Sequence, residues 1–135
     1  MKYIIFLVFS IVFSFQLLAQ EPYTVRINAI EPKIYDPINE KVIEYGKSPL
    51  KASLTISRPY MTFKIDAHDA PIQFRVIDAQ QEEGKIVIYT KQLRNGQELD
   101  AIWILFGQDG QAYAQLYSMI GNIETLTTYY IDLKT

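Results

Sequence analysis

The chain has 135 residues, 49% hydrophobic and 21% charged, which suits one globular domain and excludes a disordered chain. Thirteen basic against fifteen acidic residues leave a net charge of −2 with no basic stripe, so neither nucleic acid nor an anionic membrane surface is an expected partner. With no cysteine, disulfides, thiol nucleophiles, Cys-based zinc sites and a lipid-anchored cysteine drop out of the expectations.

The first element in chain order is a leader. Met1-Lys2 supplies a basic start, and Ile4 to Phe15 is apolar except for Ser10 and Ser14. Gln16-Leu17-Leu18-Ala19 then ends on a small residue. Residues 1–19 therefore read as a signal peptide cut before Gln20. The run is shorter than the roughly 20 apolar residues of a spanning helix and lacks a basic stop-transfer flank. Its Phe- and Ile-rich core ending in Leu-Leu-Ala-Gln resembles leaders of exported Bacteroidota proteins, and that resemblance implies a periplasmic or secreted location. No membrane span is expected after cleavage.

Residues 20–135 read as one antiparallel β domain. Val25, Ile27 and Ala29 alternate with Thr24, Arg26 and Asn28; Ala52, Leu54 and Ile56 alternate with Lys51, Ser53, Thr55 and Ser57. The same period of two runs through Met61, Phe63 and Ile65, and through Ile72, Phe74 and Val76. Such alternation places apolar side chains on one face of a half-buried strand. The segment Glu31–Pro49 contains Pro32, Pro37, Gly46 and Pro49 and is expected to be a long irregular crossing. Within it, Asn39–Tyr45 fits a short helix and a short strand equally well.

Breaks recur at Arg58-Pro59, Ala70-Pro71, Glu82-Glu83-Gly84, Asn95-Gly96, Gln108-Asp109-Gly110 and Gly121-Asn122. The last four strand-like runs form a C-terminal meander: Lys85–Lys91, Leu99–Phe106, Gln111–Met119 and Thr125–Leu133. The fold class is all-β, a single small β-sandwich or β-barrel of about eight strands. Ala101 to Phe106 has no polar residue, so both of its faces need cover from a second layer, a partner or a ligand.

Chemistry is sparse. Asp66-Ala67-His68-Asp69 holds the only histidine, and one His beside two carboxylates is an incomplete set for catalytic zinc. There is no Gly-x-Ser-x-Gly elbow, phosphate loop or Gly-x-Gly-x-x-Gly, so no catalytic residue, metal or cofactor is assigned. Ten tyrosines and one tryptophan are the richer signal. Aromatic side chains on a sheet surface combine an apolar body with a polar edge and suit a partner interface. Trp103, Tyr113 and Tyr117 are the candidate ligand-binding residues.

The leading expectation is an exported, non-enzymatic module that binds a protein or cell-envelope component through an aromatic-rich sheet surface. In size, meander and its doubly apolar strand the chain resembles lipocalin-like barrels, which implies the alternative, a carrier of a small apolar ligand with Trp103 lining a cavity. The lipocalin Gly-x-Trp near the mature N terminus is absent, and Trp103 follows Ala101-Ile102 late in the chain. A hydrolase using paired carboxylates is a third reading. Whether Ile102, Ile104 and Phe106 line a cavity, pack a core or form an exposed patch separates these possibilities.

Overall fold

The computed structural model describes residues 22–133. The leader expected at residues 1–19 lies outside the described residues. Nine strands follow one another: β1 (Tyr23–Asp36), β2 (Lys41–Glu44), β3 (Ser48–Ile56), β4 (Tyr60–Ile65), β5 (Ile72–Glu82), β6 (Lys85–Arg94), β7 (Gln97–Gln108), β8 (Gln111–Ile120) and β9 (Ile123–Asp132). From β3 onward each strand pairs antiparallel with the next, β3 also pairs with β1, and β9 returns to β1, with Ile27 opposite Ile131 and Ile34 opposite Thr125. The sheet therefore closes into an eight-stranded barrel, and β2 is a ninth strand outside the closed circuit. Of the two architectures the alternation allowed, the sandwich is ruled out by the β1–β9 seam.

The expectation of an irregular crossing at Glu31–Pro49 is also corrected. β1 runs on through Pro32 to Asp36, turns over residues 37–40, and returns as β2 and then β3. Pro32 accepts from Tyr45 N at 3.2 Å, and the N–H it lacks would face short β2 and not β9, so the β1–β9 ladder loses nothing. The Asp36 carboxylate accepts from the Ile38 and Asn39 amides and closes the turn. Asn39–Tyr45 is thus turn and strand rather than helix.

Three two-residue hairpins follow their sequence signals. Asn95-Gly96 and Asp109-Gly110 have positive φ at both positions, and Gly121-Asn122 has it at the glycine. These are the conformations that match the twist of the flanking strands. A bulge between Val76 and Asp78 leaves Ile77 49% exposed, and another between Ile27 and Ala29 bends β1 toward its long pairing with β9.

The core is off-centre. At one end, which carries the β3–β4, β5–β6 and β7–β8 turns, the inward side chains Val25, Ile56, Met61, Ile86, Leu105 and Ile131 are buried. The middle holds an aromatic cluster: the Trp103 ring lies 5.2 Å from Phe74, 5.8 Å from Tyr129 and 6.3 Å from Phe63. Toward the other end the inward positions Leu50, Ile65, Leu99, Leu116 and Thr125 are only half-buried. We call these the filled end and the rim end.

Candidate functional site

The three candidate aromatics do not meet. Along β7 the alternation is strict: Ala101, Trp103 and Leu105 point inward and are buried, while Ile102, Ile104 and Phe106 point outward and are half-buried. Trp103 has no exposed surface, and its Nε1 has no hydrogen-bond acceptor. Tyr113 and Tyr117 stand on the outer wall, opposite Phe106 and Ile102. The doubly apolar strand is thus covered inside by the core, and outside it is flanked by side chains of its own sheet.

Register extends that outer wall across β6 to β9. Tyr89, Ile102, Tyr117 and Leu126 form one row, and Phe106, Tyr113 and Tyr130 another. Phe106 and Tyr113 stack at 5.1 Å, and Tyr113 meets Tyr130 edge-on at 5.2 Å. The Tyr130 hydroxyl donates to Glu31, and Lys47 Nζ sits 4.2 Å from the centre of the same ring. Face to face in one pair and edge to face in the other, these rings form cross-strand ladders that stiffen the wall. The opposite outer wall is polar: Arg26, Lys51, Ser53, Thr55, Thr62, Lys64 and Arg75 face solvent, tied by Arg26–Asp66 at 2.7 Å and Arg75–Glu98 at 2.8 Å.

Titration follows from these contacts. The Glu31 carboxylate, accepting its hydrogen bond, pushes the Tyr130 hydroxyl up to about 12, with desolvation adding to it. Burial alone pushes Tyr129 up to about 12. Tyr117 is raised first by desolvation and then by Glu124 beside it. Arg26 holds the Asp66 carboxyl below its usual range through their hydrogen bonds. Asp66 is therefore occupied by an arginine rather than paired with His68. Among the described residues no group of three or more His, Asp or Glu is placed to hold a metal ion.

The feature that the strand pattern hides is at the rim end. Among the described residues thirteen large apolar side chains are exposed, and ten of them are here. Tyr35, Ile38, Val42, Ile43 and Tyr45 surround the β1–β2 turn, with Ile38 87% exposed. Met119, Ile120 and Ile123 flank the β8–β9 turn, and Leu93 and Ile72 lie beside the β6–β7 turn. The register of β1, β6, β8 and β9 brings these turns to one end of the barrel. The exceptions are Tyr60, Ile77 and Leu133. At the filled end the turn residues Ser57, Arg58, Glu83, Gly84, Asp109 and Gly110 are polar or small.

Two hollows mark the same end. One, of about 830 Å³, opens between the β4–β5 and β6–β7 turns, lined by Pro71, Ile72, Gln73, Gln92, Leu93, Arg94 and Asn95. The other, of about 210 Å³, lies beside β2 against Lys33, Tyr35, Val42, Tyr117, Glu124 and Leu126. Tyr117 is the one candidate residue that reaches this region. The isolated apolar residues inside turn segments (Ile38 after Pro37, and Ile120 and Ile123 around Gly121-Asn122) were the available signal. They fall outside any period of two and so carry no weight in a search for strand faces.

Comparison with known protein families, with characterised proteins and with solved structures finds no match to this chain.

Proposed function

We propose that the chain is an exported, non-enzymatic binding module that docks a protein partner on the rim end of its barrel and the adjoining aromatic wall. One observation carries this reading: among the described residues ten of the thirteen exposed large apolar side chains gather at one end, and only Tyr60, Ile77 and Leu133 lie elsewhere. Scattered apolar residues are ordinary on a protein surface, but a contiguous set rimmed by charge marks a contact area. Here the charged residues Asp36, Lys41, Glu44 and Arg94 belong to the same strand ends. The packing of Phe63, Phe74 and Tyr129 against Trp103 favours docking over a carrier with its ligand on the indole. Export rests on the leader, and the non-enzymatic part rests on the lone histidine and the missing nucleophile motifs.

Site-specific photo-cross-linking in cells that produce the protein tests this. A photoreactive residue at Ile38 or Ile120 is expected to give a discrete adduct of fixed mass, and one at Asp109 on the filled end none. Equal labelling at both ends, or none at the rim, overturns the reading.

A further inference from the structure

We infer that the free edge of β2 is a strand-addition site for an extended polypeptide segment of the partner protein, an inference that deepens the docking reading and rests on it. β2 pairs with β1 on one side only, and among the described residues no strand pairs with its other edge. Antiparallel pairs alternate between those that exchange hydrogen bonds across the ladder and those that point away. Tyr45 N bonds to Pro32 O, so in the same register Ile43 faces Ile34 and Lys41 faces Asp36 as bonded pairs. The N–H and C=O groups of Val42 and Glu44 consequently point to the open edge. Beyond β2 the edge is soon occupied: Asp66 N donates to Lys51 O at 3.0 Å, and Ala52 pairs with Ile65 on β4.

A row of unpaired backbone groups is matched by another extended backbone, which neither a lipid surface nor a small apolar molecule can supply. Side chains add selectivity. Val42 is 60% exposed on the outer side beside the small hollow, and Ile43 is 41% exposed on the inner side. Lys41 and Glu44 bracket them with opposite charges, and Glu44, 3.4 Å from Lys33 across the ladder, keeps most of its side chain exposed. An antiparallel incoming strand is therefore best with a basic residue opposite Glu44, apolar residues opposite Ile43 and Val42, and an acidic residue opposite Lys41.

A second copy of this chain does not fit that code. A two-fold antiparallel pairing must be centred on one residue, because neighbouring pairs differ in hydrogen-bond type. Centred on Val42, it sets Glu40 against Glu44; centred on Ile43, it sets Val42 against Glu44. Neither brings Lys41 to Glu44. The occupant is a different protein.

The test uses the purified domain and a synthetic probe, acetyl-Thr-Lys-Val-Val-Glu-Thr-amide, which follows the code in antiparallel order. Amide NMR titration is expected to show saturable shifts at Val42 and Glu44. Methylating the peptide nitrogens of its Lys and second Val, which face β2 in this register, should weaken binding at least tenfold; methylating the first Val should leave it unchanged. Val42→Pro removes an N–H that β1 does not use, so the β1–β2 pairing should persist in the spectrum while peptide binding is lost. Saturable binding that ignores the methyl position or survives Val42→Pro overturns strand addition, as does the absence of binding or a Val42-dependent homodimer. If the rim still cross-links in cells, the docking reading stands without this mode of attachment.

Discussion

Two tyrosines on neighbouring positions of β9 reach the same pKa by different routes. Tyr129 points inward and resists ionisation because its phenolate would be desolvated; Tyr130 points outward and resists it chiefly because its proton is held by Glu31. Both folded values, about 12, lie above the ordinary tyrosine value of 10.0. The stabilisation linked to them is complete below that ordinary value and is lost as pH rises through about 12. Ultraviolet titration should show two phenols ionising late, together with alkaline unfolding. Tyr130→Phe removes one late phenol, and Glu31→Gln brings that phenol back toward the ordinary value. Trp103 is the residue on which interior packing depends most. Trp103→Ala is expected to cost about 3–5 kcal/mol in urea unfolding, because the cavity it leaves lies among Phe63, Phe74 and Tyr129. Trp103→Phe should cost less, since its ring fills more of that cavity while both substitutions delete the buried donor that has no acceptor.

At the scale of elements, the turns carry the specificity of register. Asp109 and Gly110 both adopt positive φ, at 55° and 78°, with open space where a glycine Cβ would stand. Gly110→Ala therefore meets backbone strain rather than a clash, and a loss of about 1 kcal/mol is expected from the thermal or urea midpoint. Strands β3 to β9 were legible because each shows either a period of two or an apolar run between turn residues. β2 was not. Four exposed residues have no buried face to impose a period, and the prolines on both sides suggested a break where the backbone stays extended. The count of about eight strands holds for the closed circuit, and the ninth is the one that lacks a core-facing side.

For the molecule as a whole, alternation alone could not decide between two sheets face to face and one sheet closed on itself. That choice is made by the pairing of the first strand with the last, contacts about a hundred positions apart such as Glu31 with Tyr130. The candidate site was legible only in part. The excess of aromatics is divided by the fold: Trp103 is core, and Tyr113 stands on the outer wall against its neighbours. The asymmetry between a filled end and an apolar rim emerges only when residues remote in sequence are arranged around the circumference. The uneven core follows the same division: the rim end leaves its inward positions half-covered.

The β1–β9 seam has a consequence for how the protein is made. A chain that stops short of β9 has no partner for that edge of β1, so the ring cannot shut until β9 is present. Joining strands about a hundred positions apart costs more chain entropy than closing a hairpin, so this junction is expected to form after the meander.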